Sequence, residues 1–159
     1  MTRSTSEVNE TIAGHVRQYG WHCLHVFPTK DDGAHVGFTY SIGFVQSYDA
    51  PEVVIFGLSR EKAHALLNQC AQLFATGDKV EPDVEDGRIL ARDFKVVFRS
   101  IPRAAYDEYL GTAVRYYGDS EFPALLMYLP DKSGLFPWQA GYSGMDASEA
   151  LSITGVLVA

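Results

Sequence analysis

The chain has 159 residues, 47% of them hydrophobic and 21% charged, a balance suited to one globular domain that buries its core without staples. Its formal charge is −7, from 20 acids against 13 bases, and no basic run offsets the acids at Asp78, Glu81, Asp83, Glu85 and Asp86. Binding to nucleic acid draws on phosphate neutralisation, so this balance argues against DNA, RNA or an anionic membrane surface as a partner. No apolar run approaches the roughly 18 residues of a membrane span. The segment from Met1 to Glu10 is polar without a secretory pattern, and both cysteines, Cys23 and Cys70, sit in apolar surroundings. A reducing, cytoplasmic setting is the expectation.

Taken in chain order, residues 1–6 are expected to be flexible. A helix over 6–19 follows from the spacing of Val8, Ile12, Val16 and Tyr19, with Gly20 as its C-terminal cap. A strand over 21–27 is ended by Pro28 and the turn Asp31-Asp32-Gly33, and a second over 35–44 completes a hairpin with a longer loop. Residues 52–58 form a nearly continuous apolar run, the mark of a strand covered on both faces. Ser59 then caps a helix that carries Ala63, Leu66, Leu67, Cys70, Leu73 and Phe74 on one face and stops at Gly77. Residues 87–91 are expected to pair with a strand over 94–101. A third helix over 103–117 shows the stripe Tyr106, Tyr109, Leu110, Ala113, Val114 and Tyr117, ended by Gly118. Residues 124–129 are a last apolar strand. The pattern predicts a single α+β domain over 1–159, with a mixed or mainly antiparallel sheet of roughly five to six strands packed with about three helices.

Within 35–44 the two faces separate by period two. Val36, Phe38, Tyr40, Ile42 and Phe44 are large and apolar, whereas Gly37, Thr39, Ser41 and Gly43 are all small. Glycine in a strand marks close approach by a backbone or a ligand. The small face is therefore either a pocket floor, with hydroxyls from Thr39 and Ser41, or the seat of a tightly packed helix or loop. Tight packing is the commoner cause.

Gly20-Trp21-His22, then Phe38-Thr39-Tyr40-Ser41-Ile42-Gly43-Phe44, then Pro51-Glu52 leading to Phe56-Gly57-Leu58, resemble a bacterial family of domains of unknown function, number four-two-six-two. The segment Leu129-Pro130-Asp131-Lys132-Ser133-Gly134-Leu135-Phe136-Pro137-Trp138 is similar to that family's second signature. The resemblance spans roughly residues 12–138. Where the family reads Tyr-Thr-Ile-Gly-Leu, this chain has Tyr40-Ser41-Ile42-Gly43-Phe44, which keeps the hydroxyl. The resemblance implies a small bacterial cytosolic protein and carries no activity with it.

The candidate chemistry is sparse. Gly57-Leu58-Ser59-Arg60-Glu61 has the setting of a nucleophile elbow but places glutamate where the tight turn requires glycine, so Ser59 reads as a helix cap. His22, Cys23 and His25 alternate across a strand and do not converge, and no zinc-type spacing completes them. No metal is therefore expected. No phosphate loop or dinucleotide fingerprint is present either, so no cofactor is expected. His22, an imidazole able to titrate near neutral pH, is the histidine to test. Glu52, at the start of an apolar strand, either bonds loop N–H groups or serves as a partly buried general base. Phe136 and Trp138, on a segment stiffened by Pro137, either anchor a partner or pack back on the sheet.

Two functions remain open. The preferred one is a non-catalytic accessory module binding a small molecule or protein, through candidates Trp21, His22, Thr39, Tyr40, Ser41, Glu52, Phe136 and Trp138. The alternative is a small enzyme using His22 and Glu52 for acid–base chemistry on the 37–43 face, with Ser41 orienting substrate. Monomer and homo-oligomer are both compatible with the sequence.

Overall fold

The structure, a computed structural model, describes residues 4–27 and 37–155. The elements run α1 (Thr5–Tyr19), β1 (His22–Val26), β2 (Phe38–Ile42), α2 (Phe44–Tyr48), β3 (Glu52–Phe56) and α3 (Arg60–Ala75) in the first half. The second half holds β4 (Glu85–Asp86), β5 (Val96–Ser100), a single 3-10 turn (Arg103–Ala105), α4 (Tyr106–Tyr109), α5 (Gly111–Tyr117), β6 (Ala124–Tyr128) and α6 (Ser148–Thr154). The strands form one mixed sheet in the order β1-β2-β3-β6-β5-β4, with β3 and β6 parallel and the other pairs antiparallel. The expected single α+β domain is present, with six α-helices among the described residues rather than about three.

Alternation along the strands feeds two cores. Phe38, Tyr40, Ile42, Val54, Leu126 and Tyr128 face α1, α4, α5 and α6, and Ile12, Val16, Tyr106, Leu110 and Ala113 close over them. Val53, Ile55, Val96, Phe98, Leu125 and Met127 face the other way, under Leu67, Cys70, Ala71 and Phe74 of α3. The central strand β3 is thus covered on both sides, as its apolar run requires.

Local chemistry accounts for the element ends. The Ser4 side chain accepts from the Glu7 N–H at 3.1 Å, so α1 begins within the segment expected to be flexible. Gly20 ends α1 at φ 92°, a left-handed cap open to glycine. Ser59 caps α3, accepting from the Lys62 N–H at 3.3 Å.

Several expectations are corrected. The helix expected over 103–117 is divided into a 3-10 turn, α4 and α5, with a joint at Leu110 where φ is −117° and Gly111, a poor helix former, follows. The segment ahead of β5 that pairs with it is Glu85–Asp86, not 87–91. Phe44 opens α2 instead of extending β2, because Gly43 at φ 121° turns the chain, and its ring joins the α3-side core. His35, Val36 and the turn Asp31-Asp32-Gly33 lie outside the described residues. Among the described residues, no helix is long and apolar enough to cross a membrane.

Candidate functional site

Glu52 is fully buried at the start of β3, and its carboxylate is surrounded by donors. Oε1 accepts from the Ser41 hydroxyl at 2.7 Å and the Phe44 N–H at 3.1 Å. Oε2 accepts from the N–H groups of Gly43 at 3.1 Å and Val45 at 3.2 Å, and from the Tyr117 hydroxyl. Burial pushes this carboxyl above the usual carboxylate range, and the Tyr117, Ser41, Val45 and Gly43 donors oppose that push. Every partner is a donor, so the group accepts as a carboxylate and caps the N-terminus of α2, whose N-cap residue makes no side-chain bond. Burial and the adjacent Glu52 charge hold the Tyr117 phenol well above its ordinary value, so it donates as a neutral hydroxyl.

The landmark segments meet at this hub. Ser41 also accepts from the Val53 N–H at 3.0 Å, and the Ser47 hydroxyl donates to the Gly20 carbonyl at 2.6 Å. A Cβ on Gly43 would stand 2.9 Å from Val16 Cγ2, 3.0 Å from Trp21 Cα and 3.1 Å from the Gly20 oxygen, so only glycine fits there. The pieces Gly20-Trp21-His22, Tyr40-to-Phe44 and Pro51-Glu52 are therefore one packed assembly.

The remaining candidates are dispersed. Thr39 and Ser41 are fully buried, and the small-residue face is closed by packing on the α3 side instead of standing open as a pocket floor. The Thr39 hydroxyl meets His25 Nδ1 at 2.5 Å. Tyr40 lies in the opposite core, where burial pushes its phenol up to about 12. Phe136 is 2% exposed and stacks on Trp138, with ring centroids 5.2 Å apart, and Trp138 meets Tyr128 edge-on. Both aromatics pack back on the α1-side core, away from Thr39 and Ser41. Their loop is held by Asp131, which accepts from the N–H groups of Ser133, Leu135 and Ser143.

His22 and Ser41 lie on opposite faces, since His22 pairs across with Ile42 while Ser41 pairs with Cys23. His22 instead meets His15, with Nδ1 atoms 2.7 Å apart and rings stacked at 4.9 Å. One Nδ1 must carry the hydrogen and donate to the other. Burial, then His15 and Arg60, hold His22 down to about 4, so it is a neutral imidazole near pH 7.

This pair opens onto a groove of about 470 Å³ beside the edge strand β1, lined by His15, Tyr19, Trp21, His22, Cys23, Arg60, His64 and Asn68. A second hollow of about 340 Å³ shares His22, Cys23 and Arg60 and continues past Leu24 and His25 to Phe27. Helix spacing makes the lining. His15 and Tyr19 are one turn apart on α1, and Arg60, His64 and Asn68 follow one another by single turns on α3. Trp21, 6% exposed, stacks on His64 at 5.3 Å. Burial pushes the Cys23 thiol up to about 11 against the pull of Arg60, so the groove presents a thiol and not a thiolate nucleophile. Among the described residues no group of three or more His, Cys, Asp or Glu is placed to hold a metal ion.

Of the residues chosen from sequence, the groove gathers Trp21 and His22. Sequence reasoning missed His15, Arg60 and Asn68 as groove residues; the signal for Arg60 and Asn68 is the one-turn repeat with His64 on α3, and the signal for His15 is its one-turn spacing from Tyr19 on α1. No curated protein and no solved structure matches the chain. A family model does: the model described as a domain of unknown function (DUF4262) matches residues 15–143, and the chain belongs to that family.

Proposed function

We propose that the protein is a non-catalytic binding module whose ligand, a small molecule, occupies the groove between α1, β1 and α3. The supporting observation is a convergence. Polar side chains from three elements, His15, His22, Arg60, His64 and Asn68, meet on one open hollow beside Trp21, whereas the buried polar cluster at Glu52 is filled by its own donors. Ligand sites combine an aromatic or apolar wall with a few convergent polar groups, and the groove has both.

The alternative, acid–base chemistry by His22 and Glu52, has less support. His22 uses its Nδ1 hydrogen bond on His15, and Glu52 is fully buried with both oxygens occupied. The two unbridged cysteines, Cys23 and Cys70, fit a cytoplasmic location for the module. A small-molecule fragment screen followed by amide NMR tests the reading. Binders are expected to shift resonances of His15, His22, Cys23, His64 and Asn68 together. Binders that all shift other surfaces, with those five still, contradict it.

A further inference from the structure

We propose that this groove is an oxyanion site, which takes a small molecule by a phosphate, sulfate or carboxylate group between Arg60 and the His15–His22 pair, and that the pair gains one proton as the anion binds. The inference rests on the groove being the ligand site. Its basis is a charge contrast. The chain carries 20 acids against 13 bases, yet among the described residues lining this groove the charged and titratable side chains are Arg60, His15, His22, His64, Cys23 and Tyr19, with no carboxylate. Three arginines elsewhere sit on carboxylates, Arg88 on Asp86 at 2.7 Å, Arg99 on Asp83 at 2.9 Å and Arg103 on Glu121 at 2.9 Å, so not every arginine of the chain is open to an anion. Arg60 has no such ion pair among the described residues. It is exposed at the first turn of a 16-residue helix, where the backbone adds partial positive charge. A guanidinium there offers a planar fork suited to an oxyanion.

The histidine pair can take a proton without losing its bond. In the ring that donates through Nδ1, the hydrogen is on that atom and Nε2 is the basic nitrogen, so protonating Nε2 leaves the Nδ1 contact in place. The groups facing His22 are His15 and Tyr19 from α1, Cys23 and His25 from its own strand, and Arg60 and His64 from α3, while β2 places uncharged Ile42 across from it. Burial is the first cause that keeps His22 neutral, and the repulsion a proton there would meet from His15 and Arg60 follows; an anion beside the pair and Arg60 offsets that repulsion. The proton is assigned to the pair, since the two Nδ1 atoms share one hydrogen and either ring can be its donor.

Calorimetric titration with sulfate, whose charge is constant over the range, tests this from about pH 5 to about pH 7. Affinity is expected to fall as pH rises, by up to about tenfold per unit, with close to one proton taken up per sulfate. His22→Asn should flatten that dependence while sulfate still binds, and Arg60→Gln should weaken binding at least about tenfold. A pH-independent affinity, or undiminished binding by Arg60→Gln, overturns the proposal. Phenyl phosphate binding more tightly than benzoate assigns a phosphate ligand, and the reverse assigns a carboxylate; failure of both overturns the site. If neutral fragments shift the groove resonances and sulfate does not, the anion inference fails and the binding-module reading survives. If nothing shifts them, that reading fails as well.

Discussion

The Glu52 hub and the α1–β1–α3 groove are both polar clusters next to the same hairpin, and they differ in how their hydrogen-bonding capacity is used. At the hub, the two carboxylate oxygens meet donors from Ser41, Gly43, Phe44, Val45 and Tyr117 in full burial, so no capacity is left for a ligand. In the groove, Arg60, His64 and Asn68 are exposed and face an open hollow. A buried polar group without partners costs free energy, so saturation is what folding demands. Exposed donors gathered on one hollow are not required by folding. The polar groups around Glu52 are therefore saturated by the fold itself, while those of the groove are left facing an open hollow.

The contrast can be broken by substitutions whose effects differ in size. The largest effect is expected for Glu52→Gln, which turns an amide NH2 toward donors and removes the charge they serve. Urea denaturation should show a loss of about 3 kcal/mol or more. A loss below about 1 kcal/mol would mean the hub does not hold α2. Gly43→Ala comes next, since its Cβ would meet backbone atoms of Gly20 and Trp21 at a φ of 121°. A loss of about 2 kcal/mol is expected in the same assay.

Trp138→Ala should also cost about 2 kcal/mol, because the ring is half-buried against Phe136 and Tyr128, and it should leave sulfate binding unchanged. Weakened sulfate binding would tie that loop to the groove. The smallest effect concerns His22, whose pKa falls from 6.5 unfolded to about 4 folded. Between those values the unfolded chain binds more protons, so stability is full above the upper value and declines as pH falls toward the lower. With its partial solvent exposure discounted, the decline is about 1 kcal/mol. Denaturation midpoints of the wild type and His22→Asn, compared at neutral and acid pH, check it: the variant should show the shallower slope.

Much of the scaffold was legible in the sequence. Ser59 and Gly20 announce the start of α3 and the end of α1 by cap chemistry, and the apolar runs at 52–58 and 124–129 announce the two parallel central strands. Glu52 was legible as one of two roles, and tertiary donors from Ser41 and Tyr117, distant in sequence, decide between them. The course of Phe44 was not, because period two continues through Gly43 while the backbone turns there. The groove was hidden for a different reason. Arg60, His64 and Asn68 read as the solvated face of an amphipathic helix, and only the packing of α3 beside edge strand β1 shows what that face overlooks.

That the groove binds and the hub folds is tested most directly by a sulfate titration of Arg60→Gln followed by amide NMR, which reports on both parts in one series of spectra. The variant should keep wild-type dispersion away from the groove and lose the sulfate-dependent shifts of His15, His22, Cys23, His64 and Asn68. Collapsed dispersion would make Arg60 part of the scaffold, and shifts that persist at the sulfate concentrations sufficient for the wild type would place the anion elsewhere. Either result would contradict the division between binding groove and folding hub.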